Sequence, residues 1–367
     1  MPNPSVGCVI VHNNKIIGEG FTSTYGGPHA EINALNAVRD VDRVLISDST
    51  VYVTMEPCAH YGKTPPCALR LAQEKVKEVH VGVLDPNPKV SGKGVALLQQ
   101  AEIKVQVGLL AEACQHHHRH FLQSILKKRS YVTLKWAESS DGYIAPSNAL
   151  ETNKITWISS SWSQQFAHKL RAQHSSILIG SQTFKADKPE LTTRHWAGRS
   201  PQRFVISTNS NLPKSVSQLK SADFLILHIG SQLPTEQAEC ESCDTKTFYA
   251  KDLREALEQL YAAGFQSILV EGGSKTLQSF IEANLWDEAY VFKAVKELQS
   301  GIKAPSAFQL KEIGSSKGDR GGGEGTGGEG GNGRVGLAVV GEAVGAIDGA
   351  AVVGAAVVGL VVAGRGG

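Results

Sequence analysis

His29-Ala30-Glu31, Glu56-Pro57-Cys58 and Pro65-Pro66-Cys67 decide how this chain is read. One imidazole and two thiols are the ligand types zinc takes, and a site with three protein ligands keeps its fourth position open for water. Glu31 stands two residues past the histidine and is not needed as a ligand. It is therefore free to shuttle protons at that water. A purely structural zinc site calls for four protein ligands. His60 is a fourth donor by type, but it lies inside the loop that follows Pro57-Cys58.

The order His-x-Glu, Pro-Cys, then a second Cys is the signature of zinc deaminases that act on nucleobases, which usually set two residues between the cysteines. Here eight residues, 59–66, separate Cys58 from Cys67. Asn3-Pro4-Ser5-Val6-Gly7-Cys8-Val9-Ile10-Val11 precedes this stretch and Asp85-Pro86-Asn87-Pro88 follows it. Together they resemble the bifunctional deaminase/reductases of riboflavin biosynthesis, over residues 1–315. The resemblance implies zinc at His29, Cys58 and Cys67, one ion per deaminase domain, with Glu31 as the catalytic acid and base. The implied substrate is 2,5-diamino-6-ribosylamino-4(3H)-pyrimidinone 5′-phosphate, held by Asn3, His60, Lys63, Thr64 and Asn87. Lys63 suits a phosphate as a point charge. Within the same fold, a tRNA adenosine or free cytidine deaminase is the alternative.

Working outward, residues 6–11 are an apolar, β-branched run, Asn13-Asn14 is a turn, and 15–19 returns as a second strand. A helix is expected over 29–38, strands over 51–54 and 79–84, and a helix over 94–101. This alternation predicts an α/β domain of three layers, cytidine-deaminase-like by resemblance, over residues 1–125. Cys8 reads as a buried structural cysteine, and His116-His117-His118-Arg119-His120 as an exposed helix face.

A second α/β unit is expected over 130–316. Residues 131–135, 177–179, 203–206, 224–227 and 268–271 read as buried strands, and 163–173 and 253–263 as helices. Glu271-Gly272-Gly273-Ser274 turns from a strand into a helix over 275–283. Glycines at such a turn let backbone amides approach a phosphate. Gly180-x-x-Thr183 is a second turn of this kind. With Leu134-Lys135, Asp141-Gly142, Trp157-Ile158-Ser159, Leu170-Arg171-Ala172 and Leu191-Thr192, these motifs resemble the reductase domain of the same family, which is dihydrofolate-reductase-like. The resemblance implies NADPH lined by Ala137, Trp157, Thr183, Asp187, Gly272, Gly273 and Ser274. It places the substrate of the reduction on Arg171, Leu191, Arg194 and Glu271. Arginine is chemically suited to a sugar phosphate through its two-pronged fork. A deaminase whose C-terminal half is structural is the alternative, as is a catalytically dead zinc scaffold; the intact Glu31 disfavours the scaffold.

Residues 317–367 are mostly Gly with Glu, then Gly, Ala and Val, a composition that cannot hold a packed core economically. This tail reads as disordered or artefactual, and its apolar part, 350–363, is too short and glycine-rich to span a membrane. Family members carry a helix before the Pro-Asn-Pro motif and a closing strand in the reductase sheet. The expectation here is a bared apolar face on the first sheet and an unpaired edge on the second. Cys240-x-x-Cys243 reads as incidental.

A net charge of +2 gives no electrostatic case for nucleic acid, since the first domain has no basic cluster before Lys127-Lys128-Arg129. No secretory leader is read at the N-terminus, and thiolate ligands suit a reducing compartment, so a cytoplasmic enzyme is expected. Self-association as a homo-oligomer is left open.

Overall fold

The computed structural model describes residues 4–61, 65–88, 90–147, 161–208, 224–230, 247–294, 296–306, 312–316 and 335–340. Asn3, Lys63, Thr64, Trp157, Cys240, Cys243 and the remainder of the tail lie outside them.

The first sheet has five strands in the order β2-β1-β3-β4-β5. Strand β1 (Gly7–His12) turns through Asn13 and Asn14, both at positive φ, into β2 (Lys15–Phe21). Strand β3 (Thr50–Met55) pairs antiparallel with β1, and β4 (Glu78–Val83) and β5 (Lys104–Val107) continue in parallel. Side chains alternate across a strand. One face of β1 and β3 therefore carries Cys8, Ile10, Val51 and Val53 into a core shared with Ala34, Leu35, Leu71 and Leu98. Those four come from α1 (Ala30–Ala37), α2 (Cys67–Gln73) and α3 (Lys93–Gln100). Cys8 is buried, as expected, and burial pushes its thiol well up.

The other face carries Val9, Tyr52, Thr54 and His80 beside a groove of about 480 Å³, with Phe21 75% exposed at its rim. Helix α4 (Ala111–Lys127) lies on this side, where His118 Nε2 meets Thr54 Oγ1 at 3.0 Å. The histidine run is thus not wholly an exposed face. His116 and His117 are exposed, but His118 is buried, because the helical period turns some of any five consecutive residues inward.

Glycine decides how closely α1 approaches the sheet. A Cβ on Gly20 would lie 2.6 Å from the Ala30 carbonyl oxygen and 2.7 Å from Asn33 Cβ. Only a residue without a side chain lets the first turn of α1, which carries Glu31, rest on β2.

The second sheet has nine strands in the order β11-β10-β9-β8-β12-β6-β13-β16-β15. In chain order these are β6 (Tyr131–Glu138), β8 (Ser176–Gly180), β9 (Gln202–Ser207), β10 (Phe224–Ile229), β11 (Thr247–Ala250), β12 (Ser267–Glu271), β13 (Glu288–Lys293), β15 (Glu312–Ser316) and β16 (Val335–Val340). Strands β7 (Tyr143–Pro146) and β14 (Gly301–Lys303) pair separately. The helices here are α5 (Ser161–Gln173), α6 (Ser181–Asp187), α7 (Leu253–Ala262) and α8 (Ser274–Glu282). Strands β8 and β12 are buried at every position, as central strands covered on both faces are.

The second sheet was expected to end in an unpaired edge in place of a closing strand; instead β13 pairs with a further strand from the tail. Strand β16 runs antiparallel to β13, with Ala289 opposite Val340 and Lys293 opposite Gly336, and β15 pairs with β16. Residues 335–340, Val-Gly-Leu-Ala-Val-Val, were expected inside a disordered tail. The β-branched valines suit a strand, and the open ladder of β13 supplies its partner.

By compactness the chain divides into two units. One is Met1–Tyr131 with Gln173–Leu178 and Pro201–Ile268; the other is Val132–Ala172 with Ile179–Ser200 and Leu269–Gly367. Among the described residues no helix is long and apolar enough to cross a membrane.

Candidate metal centre and reductase pocket

His29 is the N-cap of α1, in extended backbone, and Glu31 occupies the first turn. Cys58 follows β3 by three residues, and Cys67 opens α2 behind the N-cap Pro66. Three separate elements thereby bring their side chains to one point. His29 Nδ1 lies 3.6 Å from Cys58 Sγ and 3.4 Å from Cys67 Sγ, and all three donor atoms fall within 4.8 Å of one another. Two bonds set this spacing, Cys67 N donating to Cys58 Sγ at 3.3 Å and Ala68 N to the Cys58 carbonyl at 3.1 Å.

The electrostatics match a metal site. The Cys67 thiol hydrogen-bonds Cys58, and with His29 beside it Cys58 is pulled down to about 4 despite partial burial, which makes it a thiolate. Cys67 is pushed up by the neighbouring thiolate and by burial. His29 is raised by its bond to Cys58. Glu31 is 3% exposed, and burial pushes its carboxyl up to about 7. A carboxyl poised near neutrality both takes and gives a proton. Among the described residues the ligating cluster stops at three, and His60 is an exposed loop residue outside it. The donor set therefore fits a zinc ion with one open position.

Of the residues expected on the deaminase substrate, His60 and Asn87 are described. They sit on the loops that follow β3 and β4, parallel neighbours that end together at Met55 and Val83. Ligands bind outside the carboxyl ends of such strands. Asn87 N donates to Asp85 Oδ1 at 2.8 Å, and Asp85 feels the charges of both His60 and Cys58.

The second pocket, about 190 Å³, is lined by Lys135 of β6, His168 and Arg171 of α5, Phe292 of β13, and Arg194 and His195 of the loop after α6. Arg171 closes on Glu271 with both prongs, Nε to Oε1 at 2.9 Å and Nη2 to Oε2 at 2.8 Å, and its Nη1 donates to the Thr192 carbonyl. The fork expected to be open for a phosphate is thus engaged within the protein, because Glu271 would otherwise be a lone buried carboxylate. Burial favours its neutral form, but Arg171 and Lys135, the latter 3.7 Å away, outweigh that and hold Glu271 at about 2. Arg194 pairs with Glu190 at the surface. Leu191 is 3% exposed with φ +54, an uncommon conformation for a bulky residue, and packs beneath its loop instead of lining the cavity.

The glycine turn is as expected. Gly272 and Gly273 have φ of +81 and +73, and a Cβ on Gly273 would lie 2.8 Å from Thr183 Oγ1. Gly273 is the N-cap of α8 and supplies no side-chain cap to the amides of its first turn, with Thr183 and Thr276 beside it. Such a turn fits a nucleotide phosphate. Asp187 ends α6 with its carboxyl raised by burial, and Ala137 lies on β6.

Several residues escaped the sequence reading as site residues: Lys135, His168, His195, Phe292 and Glu56. His168 precedes Arg171 by three on a helix, a spacing that puts both on one face and was available as a signal. The others announce themselves only through contacts distant in sequence.

Residues 1–83 match the family model for the cytidine and deoxycytidylate deaminase zinc-binding region, and residues 130–310 match the RibD C-terminal domain. The riboflavin biosynthesis protein RibD of Bacillus amyloliquefaciens is 36% identical over 324 residues, covering 86% of this chain and 85% of that protein. RibD of Aquifex aeolicus is 34% identical over 304 residues, 82% of this chain and 83% of that protein. Among solved structures, the diaminohydroxyphosphoribosylaminopyrimidine deaminase/5-amino-6-(5-phosphoribosylamino)uracil reductase of Thermotoga maritima aligns with a TM-score of 0.76 at 29% identity, covering 93% of each chain. With a three-donor zinc cluster at one end of its sequence and a glycine cradle beside a cationic pocket at the other, this chain belongs to the RibD family of riboflavin biosynthesis.

Proposed function

We propose that residues 1–125 carry a hydrolytic deamination and residues 130–316 the reduction that follows it. The chain is a bifunctional riboflavin-pathway enzyme, a zinc-dependent deaminase and an NADPH-dependent reductase. The observation that carries the residue assignment is the buried Glu31 held beside three converging metal donors.

In the first reaction, 2,5-diamino-6-ribosylamino-4(3H)-pyrimidinone 5′-phosphate loses its exocyclic amine as ammonia. His29, Cys58 and Cys67 would hold the zinc ion, which would supply the Lewis acidity that makes a water nucleophilic at neutral pH. Glu31 accepts the proton of the attacking water and returns it to the departing amine. Its first-turn position in α1 keeps the carboxylate directed at the cluster while burial keeps it close to neutral pH. His60 and Asn87 orient the ring, with Asn3, Lys63 and Thr64 completing the contact set.

In the second reaction bound NADPH would supply a hydride to the anomeric carbon of the ribosyl group, and a proton from solvent goes to the ring oxygen as the ring opens to ribityl. The Gly272–Ser274 turn, Thr183, Asp187, Ala137 and Trp157 bind the cofactor. The cation-rich pocket takes the phosphorylated sugar: Arg194 and its neighbours meet the phosphate, while Arg171 and Glu271 hold each other and the wall in place. The partner is a small phosphorylated pyrimidine. Two cysteine ligands suit a reducing compartment, which supports the cytoplasm as the place of action.

Glu31→Ala tests the division of labour. Ammonia release stops, zinc stays at one per chain, and NADPH oxidation by the already deaminated compound continues. Loss of zinc in this variant would make Glu31 a metal-holding residue and refute its role as proton carrier.

A further inference from the structure

Glu56 is a buried carboxylate, 5% exposed, that touches neither the metal cluster nor, among the described residues, any cation. Its two oxygens instead accept from four backbone amides. Oε1 takes Gly94 N at 2.9 Å and Val95 N at 3.3 Å; Oε2 takes Gly92 N at 3.0 Å and Asp85 N at 3.3 Å. Charge-assisted bonds of this kind are stronger than neutral ones.

The partners define what the carboxylate does. Gly94 and Val95 are the second and third residues of α3, whose own N-cap, Gly92, offers no side-chain cap. Glu56 caps the helix from the residue that follows β3, meeting amides that the first turn leaves free. Asp85 and Gly92 stand at the two ends of the loop that contains Asn87, so one side chain draws both ends together. Within that loop Val90 N and Ser91 N both donate to the Asn87 carbonyl at 2.8 Å. On the other side, Glu56 N donates to the Val83 carbonyl at 2.9 Å, and Pro57-Cys58 follows directly. A Cβ on Gly94 would collide with the Pro57 carbonyl, so α3 is seated against the loop that leads to Cys58.

We propose that Glu56 is a positioning residue of the deaminase, whose carboxylate clamps the Asn87 loop in register with the Cys58 loop so that substrate and metal ligand keep a fixed separation. The role rests on the reading of Asn87 as a substrate residue. Glu56→Gln keeps the size of the side chain but turns an NH₂ toward backbone donors, leaving amides unsatisfied. The loop carrying Asn87 then loosens while Cys58 stays tied through Cys67 and Ala68.

The test uses the zinc-loaded full chain and the diaminopyrimidine ribosyl phosphate. Four proteins are compared: unsubstituted, Glu56→Gln, Asn87→Ala and the double variant. Expected for Glu56→Gln are zinc still at one per chain, unaltered reductase activity, and a KM for deamination raised by about tenfold or more with a smaller change in kcat. The double variant is expected to be no worse than Asn87→Ala, since residues acting through one contact are not additive. If Asn87→Ala raises KM and Glu56→Gln adds its full effect on top, the clamp is refuted while Asn87 keeps its place. An unaltered KM in Asn87→Ala removes Asn87 from the substrate site and the role of Glu56 with it. Zinc lost in step with activity, or an unaltered KM in Glu56→Gln, also overturns the proposal. Should Glu56→Gln fail to fold, as the reductase rate would show, Glu56→Asp keeps the charge, withdraws the oxygens by one methylene, and is held to the same outcomes.

Discussion

At the scale of single residues, burial and hydrogen bonding together set the ionisation states that the chemistry needs. Hydrogen bonds from Cys67 and His29 pull the Cys58 thiol down while Cys67 is pushed up, and zinc binding releases protons from such ligands. Cys67→Ser is therefore expected to lose zinc, measured as metal per chain after gel filtration; a full complement would remove Cys67 from the ligand set. His118 provides a pH signature outside the site. Burial, with His117 beside it, pushes its imidazole down to about 4, against about 6.5 when free. Between those values the unfolded chain takes up a proton that the folded chain refuses. Stability therefore falls as pH drops from about 6.5 to 4 and levels off below. His118→Gln, whose amide can still meet Thr54, is expected to flatten that limb in urea midpoints at pH 7 and pH 5; an unaltered slope would mean His118 is not the titrating group. The metal ligands and Glu31 were legible in sequence because the motif spells them locally. The engagement of Arg171 with Glu271 was not, since those residues stand one hundred positions apart.

At the scale of elements, the sites are placed by how tightly backbone meets backbone. Gly20→Ala would drive a methyl into the Ala30 carbonyl and Asn33, shifting the turn of α1 that carries Glu31. Overpacking of this kind costs about 1–3 kcal/mol. The expected result is a lower urea midpoint together with weaker zinc affinity, and a variant with both unaltered would show that α1 has slack. The strands and helices bearing the motifs were readable from period and turn chemistry, with ends displaced by up to three residues. Strand β13 was not, because Glu288 and Lys293 bracket a run of only four other residues, and the buried Glu288 accepts from Tyr290 Oη at 2.7 Å, a partner that the sequence does not announce. Strand β16 was missed for a different reason. Its glycine-rich surroundings argue for disorder, and the ladder of β13 gives five of those residues, 336–340, a partner while β15 pairs on the other side.

At the scale of the whole molecule, one chain holds two chemistries that meet on one intermediate. The first is specified almost entirely by a compact motif, which explains why it was legible. The pocket proposed for the second is gathered from β6, α5, β12, β13 and the loop after α6, and sequence revealed the glycine turns better than the cationic wall. The decisive measurement is product analysis by mass spectrometry after giving purified protein the diaminopyrimidine ribosyl phosphate with and without NADPH. Deaminated ribosyl compound alone without NADPH, and the ribityl compound once NADPH is added, is the expected result. Deaminated compound as the sole product in both samples would contradict the bifunctional reading and leave the C-terminal half without its assigned chemistry.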